Sequence, residues 1–332
     1  MLNYIDNPTL PYVDLPFDWK GTPITSKGRF VNHQHRYNTS FKDVLRWQLS
    51  KNPQKVEKKN DKWRLQVMHS ENFLSNNENC IVWLGHASFF IRINGITFLI
   101  DPVLFNVSIV KRQSEFPLKP SSIKNIDYIL ISHNHRDHCD SKSLKIIAKN
   151  NPDAKVLSSL KMENTLKKMT GLNHIQSAGW YQQYLTHDEL KITFVPSRHW
   201  SRRYIRDTNC SLWGGFVIEV GDTTIYFSGD SGYGNHFKYI QKLFQNIDYF
   251  MVGIGAYKPD YIMSSSHLSP IEAVTAFHDS GARKMIPMHY GTFDLSDEPL
   301  GEPLRLLKSI DSNQGINGDV RYLVPGQIEF ID

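Results

Sequence analysis

From residue 80 onward the chain consists of short apolar runs broken by polar punctuation. CIVWLG, SFFIRI and ITFLID follow one another between Cys80 and Asp101, and the last two are separated by Asn94-Gly95. That dipeptide tolerates the positive backbone angles of a two-residue turn, so a hairpin is predicted. The pattern then alternates. IDYILIS (126–132) predicts a buried strand and SKSLKIIAKN (141–150) a helix, and AKVLSS (154–159) and MENTLKKM (162–169) repeat the pair. LKITFVP (190–196), SLWGGFVIEV (211–220) and TTIYFSG (223–229) predict strands, the last two joined at Gly221-Asp222. HFKYIQKLFQ (236–245) predicts a helix, DYFMVGIG (248–255) a strand, KMIPMHY (284–290) another strand and PLRLLKSI (303–310) a helix. In SPIEAVTAFHDS (269–280) Ser269 is placed as an N-cap, with Pro270 in the first turn and Glu272 at capping-box spacing. VRYLVPGQIEF predicts a final strand pair around Pro325-Gly326. Hairpins first, then strand–helix alternation, then a repeat of both predict two mixed sheets face to face with helices outside, an α/β (α+β) class.

Before residue 80 the periodicity is weaker. Residues 1–40 are rich in Pro, Asn and Gly and read as an extended arm. Phe41, Val44, Leu45 and Leu49 have helical spacing, so 41–50 predicts a short amphipathic helix, able either to pack on the domain or to meet a membrane surface. Lys51 to Lys62 reads as a solvated linker. The expected division is an arm and short helix over 1–60, wrapping a main domain over 61–332.

Composition narrows the class. Hydrophobic residues at 40% and charged residues at 21% suit a packed globular chain. No apolar run reaches the ~18 residues of a membrane-spanning helix, and the opening MLNYIDNPTLPYVDLP has no signal-peptide core. A cytoplasmic location is expected, with peripheral membrane contact left open. Lys and Arg exceed Asp and Glu by 38 to 33, which permits anionic ligands without requiring them. No nucleic-acid module is visible. Cys80, Cys139 and Cys210 are too scattered for a disulfide framework. Cys139 follows the richest histidine cluster, but the metal ligands around it outweigh a catalytic thiol.

The chemistry concentrates in IDYILISHNHRDHCD. A strand ends at Ser132, and His133, His135, Asp137 and His138 follow. Imidazole and carboxylate are ligands for zinc and its neighbours. In an extended loop His133 and His135 face the same way and can hold one metal, while Asp137 and His138 turn toward a second. His199, Asp230 and His289 each follow a later apolar run, so their loops are expected to converge on the same edge.

HNHRDH matches the HxHxDH signature of the metallo-β-lactamase-fold hydrolases. WLGHASFFI, LIDPV, PSRHWSRR, FSGDSGYG, IGAYKPD, HLSPIEAV and MHYGTF, with the N-terminal GRFVNHQH and FKDVLRW, resemble N-acyl-phosphatidylethanolamine-hydrolysing phospholipase D and its bacterial relatives. The resemblance implies a four-layer αββα sandwich and two Zn²⁺ per chain, a ligand set that also accepts iron or manganese. It implies that His133, His135 and His199 hold the first metal, that Asp137, His138 and His289 hold the second, and that Asp230 bridges both. A metal-bound hydroxide would then cleave a phosphodiester, oriented by Asp137, with His267 reaching the substrate. His86, Asp101, Arg203 and Tyr257 are expected to support the site or touch substrate. Trp200, Trp213, Tyr233, Tyr257 and Tyr290 are divided between an acyl-chain groove and core packing, the latter favoured. The chain departs from the family where Asp260 stands in place of an arginine and Tyr290 in place of a tryptophan. The expected function is phospholipase D-type hydrolysis of an N-acylated phospholipid. A lactonase or another phosphodiesterase on the same scaffold is the alternative, and a membrane-surface binding module the non-enzymatic one. The expected partner is a lipid or other phosphodiester substrate, with no nucleic acid; oligomeric state is not legible.

Overall fold

The structure, a computed structural model, describes residues 2–32, 41–187 and 189–331; the end of GRFVNHQH, with His33 and His35, lies outside the described residues. A hairpin pairs β1 (Leu2–Ile5) with β2 (Thr22–Thr25). Helices α1 (Phe41–Leu49), α2 (Lys55–Asn60) and α3 (Asn72–Ser75) follow. The first large sheet then begins with β3 (Cys80–Gly85), β4 (Ser88–Ile93) and β5 (Ile96–Ile100). It continues through β6 (Tyr128–Ile131), α4 (Ser141–Asn150), β7 (Lys155–Ser159), α5 (Glu163–Thr170) and β8 (Ile175–Ala178). The second sheet contains β9 (Leu190–Val195), β10 (Gly215–Val220), β11 (Thr223–Phe227), β12 (Tyr249–Gly253), β13 (Lys284–Met288) and β14 (Asp319–Val320). Its helices are α6 (His236–Leu243), α7 (Asp260–Met263), α8 (Pro270–Ser280) and α9 (Glu302–Ser312). The last strand, β15 (Ile328–Phe330), returns to the first sheet beside β3.

Side-chain alternation builds the layers. In β3, Ile81 and Trp83 enter a core between the sheets with Phe194, Phe216 and Phe227. Val82 and Leu84 point the other way, under Leu144 and Ile147 of α4 and Leu166 of α5. Phe237, Ile240, Ala273 and Phe277 of α6 and α8 cover the second sheet's outer face. The order is helix, sheet, sheet, helix: the four-layer sandwich. The predicted punctuation forms as read. Asn94 and Gly95 hold φ at 50° and 79° and bring Ile93 opposite Ile96. Ser269 and Glu272 close the capping box at the start of α8.

Two expectations are corrected. The strands around Pro325-Gly326 do not pair with each other. β14 borders β13 in one sheet and β15 borders β3 in the other, because the turn crosses between sheets, with the Gly326 amide on the Trp83 carbonyl at 2.8 Å. The lysine-rich stretch is not a free linker. It contains α2, and Lys58 pairs with Asp294 at 2.5 Å while Asp61 accepts from the Gly301 amide at 3.1 Å. Residues 2–32 hold the β1–β2 hairpin and are fastened to the sandwich, as a wrapping arm would be; Asn7 exchanges hydrogen bonds with Gln182 and donates to the Ser177 carbonyl, and the Phe30 amide donates to the Asn209 carbonyl.

Strand direction positions the site. β3 runs antiparallel to β4 and β4 to β5, while β5 and β6 are parallel. β3, β5 and β6 therefore end at the same edge. By the same logic β9, β11 and β13 share a direction in the other sheet. His86, Asp101, His133, His199, Asp230 and His289 all follow these strand ends. Asp230 is set by Gly229, whose φ is 60° and whose missing Cβ would lie 2.3 Å from the Gly214 carbonyl oxygen. Gly229→Ala is expected to lose about 2–3 kcal/mol of stability from backbone strain and overlap. Urea denaturation measures this, and an unchanged midpoint would show that the backbone moves to admit the methyl group.

Candidate metal centre

Imidazole and carboxylate donors from both sheets meet in one buried cluster. His133 Nε2 and His199 Nε2 lie 2.9 and 3.1 Å from His135 Nδ1. They stand 3.9 and 3.7 Å from Asp230 Oδ2. The same oxygen lies 3.1 Å from His138 Nε2 and 3.3 Å from His289 Nε2. Those two nitrogens are 3.8 and 3.7 Å from Asp137 Oδ2. His267 is at the cluster's half-buried rim, its Nδ1 4.0 Å from Asp230 Oδ2. His133, His135, His199 and Asp230 form one group of potential ligands; His86, Asp137, His138 and His289 form another.

These residues fit metal ions. Donors at ~2.0–2.1 Å from a tetrahedral ion stand about 3.3 Å apart, which falls within the observed spacing. His138 Nε2, His289 Nε2 and Asp230 Oδ1 are buried with no hydrogen-bond partner among the described residues. Burying such groups is costly unless something joins them. The outward nitrogens of three ligand-type histidines are already engaged. His133 Nδ1 meets Ser132 Oγ at 2.9 Å, His138 Nδ1 meets Asp101 Oδ2 at 2.8 Å, and His199 Nδ1 donates to the Ser266 carbonyl at 2.9 Å. Such contacts fix the ring and aim its other nitrogen inward.

The electrostatics follow from burial opposed by charge. Burial, with neighbouring imidazoles, drives His133 well below its usual range. Burial likewise holds His199 well below, against the pull of Asp230, and brings His135 down to about 4, with Arg202 adding to the effect. Burial also opposes charge on His138 and His289, yet Asp230 and Asp137 overcome it. His138 is lifted well above its usual range and His289 up to about 9. Asp137 and Asp230 are held well below the carboxylate range despite burial, chiefly by His138.

Asp101 is fully buried and receives the Ser132 amide and hydroxyl as well as His138, so it supports the histidine loop. His86 places Nε2 3.0 Å from Asp137 Oδ2, while its amide donates to Thr292 Oγ1 at 2.8 Å. His86, Asp101 and His289 adopt φ of 54°, 40° and 63°, the left-handed region. Arg203 and Tyr257 are not brought to the donors. Arg203 places Nη1 on the carbonyls of Cys139 (2.7 Å) and Asn134 (3.3 Å), clamping the histidine loop from behind. Tyr257 is buried, and its hydroxyl donates to Glu302 at 2.6 Å. Trp213 and Tyr290 are also buried, in the inter-sheet core, whereas Trp200 stacks edge-on against His135 at 4.6 Å. Cys139 is buried and its thiol pushed up to about 12, unsuited to nucleophilic work. Ser132, Asn32 and the Ser266 carbonyl were not foreseen. Asn32 clasps the His199 backbone, accepting at 3.1 Å and donating at 2.9 Å. Its only advance signal was its place in GRFVNHQH.

A family model described as the beta-lactamase superfamily domain matches residues 97–290. The chain is 29% identical over 256 residues to N-acyl-phosphatidylethanolamine-hydrolyzing phospholipase D 1 of Caenorhabditis elegans, covering 73% of this chain and 72% of the relative. It is 29% identical to a metal-dependent hydrolase of Aeropyrum pernix, over 74% of this chain and 95% of that one. A metallo hydrolase of Ignicoccus hospitalis shares the fold with a TM-score of 0.57 at 21% identity, covering 76% of this chain and 98% of that one.

The proton balance of this centre is testable. A metal needs the His289 lone pair, and a proton holds it up to about pH 9, against an ordinary 6.5. Metal uptake between those values must therefore expel protons, and apparent affinity should rise with pH across that window. Calorimetric titration of metal in buffers of different ionisation enthalpy measures the release; heats independent of buffer would contradict it. Fold, donor geometry and family match agree: the chain belongs to the β-lactamase superfamily, as a metal-dependent hydrolase.

Proposed function

We propose that the protein is a binuclear zinc hydrolase of phosphodiesters, acting as a phospholipase D on N-acyl-phosphatidylethanolamine or a related amphiphile. The observation that carries this reading is one carboxylate, Asp230, lying between two donor sets, with His133 and His199 on one side and His138 and His289 on the other. His133, His135 and His199 would hold the first zinc, and Asp137, His138 and His289 the second, with Asp230 shared. The relative that hydrolyses N-acyl-phosphatidylethanolamine supports the substrate class.

Zinc, when bound, supplies Lewis acidity and lowers the pKa of water toward 7. The chain's own groups do the rest. Asp137, fixed by His86, presents an oxygen that would accept a hydrogen bond from an attacking water and aim its lone pair. His267, at the open rim, reaches an oxygen of the substrate. The ring of Trp200 borders the His135 side and restricts water there. The buried walls keep the dielectric low, which strengthens these contacts on a charged phosphodiester. Among the described residues no helix is long and apolar enough to cross a membrane. A lipid substrate would therefore be met at a surface.

The first test is elemental analysis on a batch assayed with N-acyl-phosphatidylethanolamine in mixed micelles and with bis-p-nitrophenyl phosphate. About two zincs per chain and release of phosphatidic acid, lost on chelation, are expected. Cleavage of lactones but of neither diester would replace this reading with the lactonase. Asp230→Asn and His135→Ala are each expected to lower activity at least about a hundredfold with loss of bound metal. Full activity with full metal content in either variant would sink the binuclear reading.

A further inference from the structure

Beside the donor cluster lies an open recess of about 820 Å³ lined by Arg136, Arg202, Arg203, Tyr204, Ile205 and Arg206. It is built from the two loops that carry ligand-type histidines. Arg136 stands between His135 and Asp137, and the other five follow His199. Trp200 links recess and cluster, with its ring 4.6 Å from that of His135 and the Arg202 guanidinium over the same ring at 5.3 Å. Arg203 is occupied with the Asn134 and Cys139 carbonyls, and Arg136 donates to the Arg203 carbonyl at 3.4 Å. Arg136, Arg202 and Arg206 remain exposed, and among the described residues none forms an ion pair with a carboxylate. The nearby acid, Asp207, is turned to the amides of Arg203 and Tyr204 at 3.0 and 2.8 Å.

Three guanidinium groups sharing a recess without an acid repel one another, and an anion joining them relieves that repulsion. Arginine forks match the paired oxygens of phosphate and carboxylate. We propose that Arg136, Arg202 and Arg206 form a second oxyanion subsite beside the metal centre, which takes a phosphate or carboxylate group other than the one being cleaved. This rests on the hydrolytic reading of the centre and sharpens it: N-acyl-phosphatidylethanolamine carries one phosphate, so the further anionic group belongs to a related amphiphile or to a lipid beside the one being cleaved. That group has two sources, the substrate molecule itself or the headgroup of a neighbouring lipid. Ile205 and Tyr204, 94% and 63% exposed, stand at the same recess and suit either a ligand's apolar part or a lipid surface.

The test compares the metal-loaded protein with an Arg202→Gln/Arg206→Gln double variant of equal metal content and melting temperature. Binding of glycerol 3-phosphate is measured by calorimetry. Binding to phosphatidylcholine vesicles, with and without phosphatidylglycerol, is measured by sedimentation. At least a tenfold loss of affinity in the double variant is expected, for the soluble phosphate, the anionic vesicles or both. Loss for the soluble probe places the group on the substrate; loss for anionic vesicles alone places it on a neighbouring lipid. Equal binding by both proteins, or binding of neither probe, overturns the subsite. Turnover of bis-p-nitrophenyl phosphate by the unaltered protein reports separately on the hydrolytic reading, so the two can fail independently.

Discussion

A carboxylate 4% exposed at the meeting of two sheets, with five imidazoles within 4.0 Å, is the constraint on which the site depends. Asp230 cannot stay ionised there without positive charge beside it, and it cannot be neutralised cheaply while His138 and His289 face it. Everything around it serves to hold that confrontation still. The six strands that end at this edge deliver the groups. Asp101 and Ser132 lock the histidine loop from one sheet, and Asn32 and the Ser266 carbonyl lock His199 from the other. A cation resolves the confrontation by giving the orphaned lone pairs a common partner.

Much of this was legible in the chain because the chemistry is local. HNHRDH packs four ligand-type residues behind one strand, and no packing role explains them. His199, Asp230 and His289 were legible through a repeated local rule, an apolar run ending in a polar ligand. What stayed hidden depended on residues far away in sequence. Nothing local in HWSRR says that Arg203 turns to carbonyls 64 and 69 residues earlier. Nothing in GAYKP says that Tyr257 meets a glutamate 45 residues on. Pro325-Gly326 reads the same whether it closes a hairpin or carries the chain between sheets. The lysine run, exposed as expected, read as a linker because Asp294, the partner of Lys58, lies far downstream.

The superfamily architecture and the proposed substrate rest on different residues. The ligand cluster draws on strand ends and buried hydrogen bonds, all within the sandwich. The recess proposed as an anion subsite draws on exposed arginines in a single loop and on one residue of the histidine motif. Within the loop after His199, Arg203 is tied to the Asn134 and Cys139 carbonyls, whereas Arg202 and Arg206 stand exposed at the recess.

His86, Asp101 and His289 each sit in left-handed backbone that glycine would adopt with less strain. The consequence is evolutionary. At these three places selection for folding and selection for chemistry pull in opposite directions. Glycine would relax the backbone at each of the three, and it would remove either a donor of the cluster or the carboxylate that orients His138.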